Sequence, residues 1–224
     1  MEKITSRTNA LMTHVRKLAA SASYRRKSGE FLCDGYKLLR EARLWHADVT
    51  TIIFSDETEP PEADAKTRLV QVPADVMRSI APSDTPQGVL FLCRMAAAPL
   101  PERLTGKHYV VLDGVQDPGN VGTILRTADA FDCDGMFLVG ACADLYSAKT
   151  VRATMGAVFR RPVWRCTAAE VKTLLADSGI PLYGAALRDD TVDARSVDYG
   201  CAAVAIGSEG RGLSDEMLAL CDRS

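Results

Sequence analysis

The sequence predicts an α/β fold in two parts, a small α/β domain followed by a parallel sheet covered by helices on both faces. Three observations predict it. Short apolar runs of strand length alternate with amphipathic helical stretches along the chain. Beyond the midpoint these runs are apolar at every position, the mark of strands buried on both sides. Between the two parts lie residues 95–103, a stretch of small residues with two prolines and neither period, which reads as a linker.

The elements follow in order. Residues 9–20 carry Leu11, Val15 and Leu18 at helical spacing. Residues 21–29 read as a polar, basic turn. Residues 36–46, with Leu38, Leu39 and Leu44, predict a second helix. Residues 51–54 and 69–72 predict strands, 74–80 a helix and 89–93 another strand. After the linker, strands at 109–112, 136–139, 182–186 and 202–206 are interleaved with helices at 122–131, 147–154, 171–176 and 215–220. The domain boundaries expected are residues 1–95, a linker at 96–106, and residues 107–224.

Composition excludes several classes. Hydrophobic residues make up 47% and charged residues 25%, ordinary for a globular protein. No apolar run approaches the roughly 18 residues that span a membrane, and the N-terminus lacks the apolar core of a signal peptide. The expectation is a cytoplasmic protein. The seven cysteines include no CxxC spacing, so neither a metal site nor a disulfide framework is expected. His14, His46 and His108 read as structural.

The formal net charge is −2, but it is unevenly distributed. Residues 1–50 hold ten Lys or Arg against five acids, a surplus of five positive charges; the remainder holds 17 against 24. A basic front end on an acidic body fits a local polyanion contact.

Two blocks carry chemistry. In the first, residues 110–130, a strand leads through turn signals (Asp113-Gly114, Pro118-Gly119) into a helix. Asn120 is placed to cap that helix, Gly122 allows close backbone approach, and Arg126 follows less than two turns later. Read alone, Arg126 is either an ion-paired surface residue or a functional cation. Neither GxGxxG nor GK[ST] is present, which excludes the dinucleotide fingerprint and the P-loop. In the second block, residues 201–214, an apolar strand runs into Gly207, Gly210 and Gly212, and Ser214 is placed to cap a helix. Glu209, the only acid of that loop, is expected to bind a ligand group or to tie the loop to Arg126.

Together, NxGxxxRTA at residues 120–128 and IGSEGxGLS at 206–214 closely resemble the first two signature motifs of the SpoU-type (TrmH-like) RNA ribose 2′-O-methyltransferases of the SPOUT superfamily. Residues 142–157 also look like the family's intervening sequence. The front end, with Ser6-Arg7-Thr8-Asn9, residues 25–32 and Thr85-Pro-Gln-Gly88, is similar to the L30e-like RNA-binding domain of many members. The resemblance implies a C-terminal domain with a deep trefoil knot, S-adenosylmethionine held in the knot, a homodimer with active sites at the interface, and tRNA or rRNA as substrate. By position it implies that Arg126 acts on the target 2′-hydroxyl and that Asn120 and Glu209 shape its surroundings. Ala186, Leu187, Gly207, Glu209 and Gly210 would border the cofactor. The basic front end is expected to dock structured RNA through phosphates at Arg7, Arg25, Arg26 and Lys27, with Lys149 and Arg152 on the catalytic domain. The family's third motif follows the second; the sequence stops at Ser224 before it, so the expectation is an incomplete knot and cofactor pocket in this chain. The competing readings are a non-catalytic RNA-binding relative, a base methyltransferase of the same superfamily and, more distantly, a nucleotide-binding oxidoreductase.

Overall fold

The computed structural model describes residues 1–83, 85–188 and 191–224. The chain divides into two compact units: Met1–Ala96 with Tyr146–Phe159, and Ala97–Leu145 with Arg160–Ser224.

The first unit begins β1 (Glu2–Lys3), α1 (Ala10–Ala20), α2 (Ala22–Ser28), β2 (Glu30–Asp34) and α3 (Tyr36–Leu44). It continues β3 (Val49–Ser55), β4 (Arg68–Val72), α4 (Ala74–Ile80) and β5 (Val89–Arg94). The strands form a mixed sheet in the order β1-β4-β3-β5-β2, in which β5 runs antiparallel to β3 and β2. Period-two alternation splits its side chains between two cores. Leu32, Ile53, Leu90 and Leu92 pack with Met12, Val15 and Leu18 of α1 and with Val76 and Met77 of α4. Phe31, Cys33, Ile52, Phe54 and Phe91 pack with Leu38, Leu39 and Ala42 of α3.

The basic turn expected at residues 21–29 is instead helix α2. The Ser21 hydroxyl accepts the Tyr24 N–H at 3.2 Å at its start. At its end Gly29, at φ +70°, donates its N–H to the Arg25 carbonyl at 2.8 Å. A Ser cap and a left-handed Gly stop are enough to define seven residues of helix without an apolar stripe.

The second unit contains β6 (His108–Asp113), α5 (Pro118–Ala130) and β7 (Gly135–Val139). Helix α6 (Ala148–Ala153) groups with the first unit, where Val151 joins the Phe31 core and Tyr146 lies 4.7 Å from the Phe31 ring. The second unit then resumes with β8 (Val163–Cys166), α7 (Ala168–Asp177), β9 (Leu182–Ala185), β10 (Ala202–Gly207) and α8 (Asp215–Leu220). Its five strands are all parallel, in the order β8-β7-β6-β10-β9. Tyr109, Val111, Phe137, Ala203 and Ala205 bury one face against Val171, Leu174 and Leu175 of α7 and Met217 of α8. Helix α5 runs against β6 and β7 and buries Val121, Leu125 and Ala128.

This strand order positions the site. From β6 the chain steps outward to β7 and β8, then returns to the opposite edge at β9 and comes back to lay β10 beside β6. The direction of winding reverses between β6 and β10. In open parallel sheets the loops at the carboxyl ends of such a pair diverge and leave a crevice for ligands. The first block leaves β6 and the second leaves β10.

Candidate active site

β6 ends on Asp113 and β10 on Gly207, partners in register. Asp113 is buried, and its Oδ2 accepts the Ser214 N–H at 2.7 Å. The Ser214 hydroxyl in turn accepts the Met217 N–H at 3.2 Å and caps α8. A carboxylate at the end of one strand thus fixes the start of the helix that follows the other. Between them the second block closes on itself. Ser208 donates its N–H to the Gly212 carbonyl at 3.0 Å, and Gly212 donates its own to the Ser208 carbonyl at 2.8 Å. Glu209, Gly210 and Arg211 form the exposed tip. Gly207 lies beneath this turn, where a Cβ would fall 1.9 Å from the Gly212 carbonyl carbon. Only glycine permits that approach.

Asp117, not Asn120, caps α5: its Oδ1 accepts the Asn120 N–H at 2.9 Å, with Pro118 at the first helical position. The expectation that Asn120 is the cap is therefore corrected. Its side chain is free for another task, and Asn120 Nδ2 donates to Glu209 Oε1. Glu209 ties its loop to Asn120 rather than to Arg126.

Three arginines outside both blocks, and one carboxylate near the end of the first, support this arrangement. Arg165 on β8 donates to the carbonyls of Gly140, Cys142 and Ala143 at 3.1–3.2 Å, holding the loop after β7. Asp129 near the end of α5 accepts Arg160 Nε and Arg161 Nε, both at 2.7 Å. Burial raises the Asp129 pKa, but the hydrogen bonds from Arg161 and Arg160 outweigh it and hold the carboxyl below its usual value.

Two cavities flank the second block, and Gly212 lines both. One, of about 450 Å³, is lined mostly by polar and charged residues, among them Asp113, Asp117, Asn120, Glu209 and Arg211. The other, of about 730 Å³, is walled largely by apolar and aromatic groups, among them Tyr183, Ala186, Leu187, Val192 and Tyr199. The expected cofactor residues divide accordingly: Ala186 and Leu187 border the larger cavity, Glu209 and Gly210 the smaller, and Gly207 lines neither. The larger cavity suits an adenosyl group in size and chemistry, since it falls within the range of small-ligand pockets and offers apolar walls for a planar base. Its wall includes the edge-on pair Tyr183–Tyr199, 5.9 Å between centroids, and a fully exposed Leu187.

Arg126 is exposed on α5, lines neither cavity, and makes no hydrogen bond or ion pair among the described residues. Sequence reasoning missed Asp113, Asp117, Arg165 and Arg211. The only local signal for the first two was their place beside turn residues.

In the first unit, Arg7 is paired with Asp75 at 2.6 Å. Arg25 is buried and donates to the carbonyls of Leu18 and Ala19, which removes it from the expected RNA contacts. The reason is helix α2, which turns Arg25 inward as the brace between α1 and α2. Arg26 and Lys27 are exposed. Lys149 is exposed on α6, and Arg152 Nη2 lies 2.7 Å from Asp34 Oδ2. All seven cysteines are free thiols, and burial pushes the Cys166 thiol up to about 11.

The model of the SpoU rRNA Methylase family matches residues 107–224, the span that contains this whole arrangement. The chain belongs to the SpoU rRNA methylase family. A model described as an MRM3-like substrate binding domain matches residues 9–90 of this SpoU protein. It is 30% identical to the 23S rRNA (guanosine(2553)-2′-O)-methyltransferase RlmP of Bacillus subtilis, over 99% of this chain and 88% of that protein. The crystal structure of an AdoMet-bound rRNA methyltransferase from Sinorhizobium meliloti superposes with a TM-score of 0.87 at 31% identity, covering 99% of this chain and 87% of that one. Mitochondrial rRNA methyltransferase 3 of Xenopus laevis is 31% identical over 68% of this chain, which spans 39% of that longer protein.

Proposed function

We propose that this SpoU protein is an enzyme that transfers a methyl group from S-adenosylmethionine to a ribose 2′-hydroxyl of ribosomal RNA. The observation that carries the reading is the meeting of the two blocks at the winding reversal, where Asn120 of the first binds Glu209 of the second beside a cavity fit for the cofactor. The Bacillus subtilis relative supports ribosomal RNA over tRNA and the ribose over the base. The Sinorhizobium meliloti complex supports the cofactor.

Bound S-adenosylmethionine supplies an activated methyl group. The protein's work is to hold the ribose oxygen, exclude water and ease loss of the hydroxyl proton. Ala186 and Leu187 border the cofactor, and Glu209 and Gly210 face the polar cavity beside it. Arg126 serves the 2′-hydroxyl. An arginine stays protonated at any working pH, so it acts by stabilising charge that develops on the oxygen, not as a base. Its exposure, and the lack of a partner among the described residues, leave the guanidinium available. Because Arg126 lines neither cavity of its own unit, it acts at the cavity of a second copy, and the working enzyme is a homodimer. The trefoil knot belongs to the same reading. Residues 222–224 run beside β9, with Gly184 donating to the Arg223 carbonyl at 2.9 Å. Arg26, Lys27 and Lys149 are the exposed cations assigned to RNA phosphates. The site of action is the cytoplasm.

The test is methylation of ribosomal RNA with radiolabelled cofactor, followed by digestion to nucleosides. Label in a 2′-O-methylated nucleoside is the expected result; label on a base overturns the reading.

A further inference from the structure

A third cavity, of about 410 Å³, lies within the first unit, and the methyl-transfer reading does not use it. Its walls include Asp34, Lys37, Arg40, Gln87, Arg152 and Met155. Asp34 ends β2, and its side chain is 5% exposed. Oδ2 accepts the Ser83 hydroxyl at 2.9 Å and Arg152 Nη2 at 2.7 Å. Oδ1 is buried and accepts nothing, the one such side-chain atom among the described residues. A buried carboxylate oxygen left unpaired is costly, and native structures tolerate it where a ligand or water completes it.

The surroundings define the ligand. Lys37 and Arg40 stand one turn apart on α3, both exposed and without an ion-pair partner among the described residues. Arg152 is 57% exposed, so its guanidinium can leave Asp34 without unpacking the core. Three cations suit phosphate, yet two acids, Asp34 and Glu41, line the same cavity and repel a bare phosphate ion. The ligand must therefore carry an anion and N–H donors together, as a nucleotide does. Among the bases, guanine alone presents two adjacent donors, N1–H and N2–H, on its Watson–Crick edge. Adenine and cytosine set an acceptor beside their amino group, and uracil flanks its N–H with carbonyls. Met155, 49% exposed, offers an apolar surface to the base.

We propose that this cavity receives one unstacked guanosine of the RNA substrate. Arg152 exchanges Asp34 for an RNA phosphate, the guanine edge takes Asp34, and Lys37 and Arg40 hold the neighbouring phosphates. Single-stranded bases splayed from the stack are the usual targets of sequence-specific RNA recognition. The inference rests on the proposed RNA substrate and adds where and what the first unit reads.

The experiment is fluorescence anisotropy with the full chain and the labelled hexaribonucleotides UUGUUU and UUAUUU, beside calorimetric titration of GMP and of S-adenosylmethionine. Wild type should bind UUGUUU about tenfold more tightly than UUAUUU, the discrimination of a good bidentate pair. Asp34→Asn should abolish that preference, and Lys37→Ala with Arg40→Ala should weaken both oligonucleotides alike. Equal binding of the two by wild type, or a preference that survives Asp34→Asn in a protein with unchanged circular dichroism, overturns the proposal. GMP bound as tightly as UUGUUU overturns the RNA source in favour of a free nucleotide. If the enzyme binds S-adenosylmethionine and methylates ribosomal RNA but shows no guanosine preference, this inference alone fails. If cofactor binding and methylation are absent, the functional reading fails instead.

Discussion

The Asp113 carboxylate accepts the backbone N–H of Ser214 at 2.7 Å, across 101 residues of sequence. The bond fixes the entry of α8 and holds the second block against the end of β6. Asp113→Ala leaves a helix-start N–H without its acceptor, at a cost of about 1–3 kcal/mol. The expected result is a lower thermal midpoint and at least tenfold weaker cofactor binding by calorimetry. Asp113→Asn, whose amide oxygen can still accept, should recover most of both. Wild-type cofactor affinity in Asp113→Ala would refute the positioning role.

The three glycines of the second block are not equivalent. A Cβ on Gly207 would overlap the Gly212 backbone, whereas one on Gly210 meets nothing within 4 Å. Gly207→Ala should destabilise by roughly 3 kcal/mol or more, through forced backbone displacement. Gly210→Ala should stay within about 0.5 kcal/mol of wild type in denaturant unfolding. Similar losses in the two variants would contradict the closed-turn geometry.

Arg126 makes no bond among the described residues, so removing it should cost little stability and much rate. Arg126→Ala is expected to unfold within about 0.5 kcal/mol of wild type. Its single-turnover methylation rate should fall by about 10²–10³, the range for a lost preorganised donor. Near-normal turnover would remove Arg126 from the reaction.

The Asp129 carboxyl, clamped by Arg160 and Arg161, has a pKa below its ordinary value despite burial. A lowered folded-state pKa means that its stabilisation is complete above the unfolded value of about 3.9 and is lost as pH falls through the folded value. Thermal midpoints of wild type should therefore decline as pH drops below about 4, and Asp129→Asn should flatten that decline. At neutral pH the same variant should lose on the order of 2 kcal/mol, because two largely buried guanidinium groups lose their carboxylate. An unchanged acid profile in Asp129→Asn would show that other carboxylates govern it.

Local signals carried much of the architecture. The helix at Ala74–Ile80 and the strands ending at Asp113 and Gly207 were legible from apolar period and flanking turn residues, and so were the two blocks. β2 and β8 were not read, and α2 was taken for a turn although Ser21 and Gly29 marked its ends. Its inward arginine misled the reading of Arg25, because charge in a sequence does not disclose burial.

By itself the sequence determined the α/β class, the alternation of strand and helix and the family, and it singled out Asn120, Arg126, Gly207 and Glu209 as candidates. Only the tertiary structure decided that β10 lies beside β6, that Asn120 binds Glu209 across 89 residues, and that Asp113 caps the path to Ser214. It also decided that Arg152 meets Asp34 across 118 residues. Caps and periodicity arise from neighbours a turn or two apart and leave a mark in the sequence. Strand order and the pairing of distant charges come from which surfaces bury each other when the whole chain closes, and no local pattern records that.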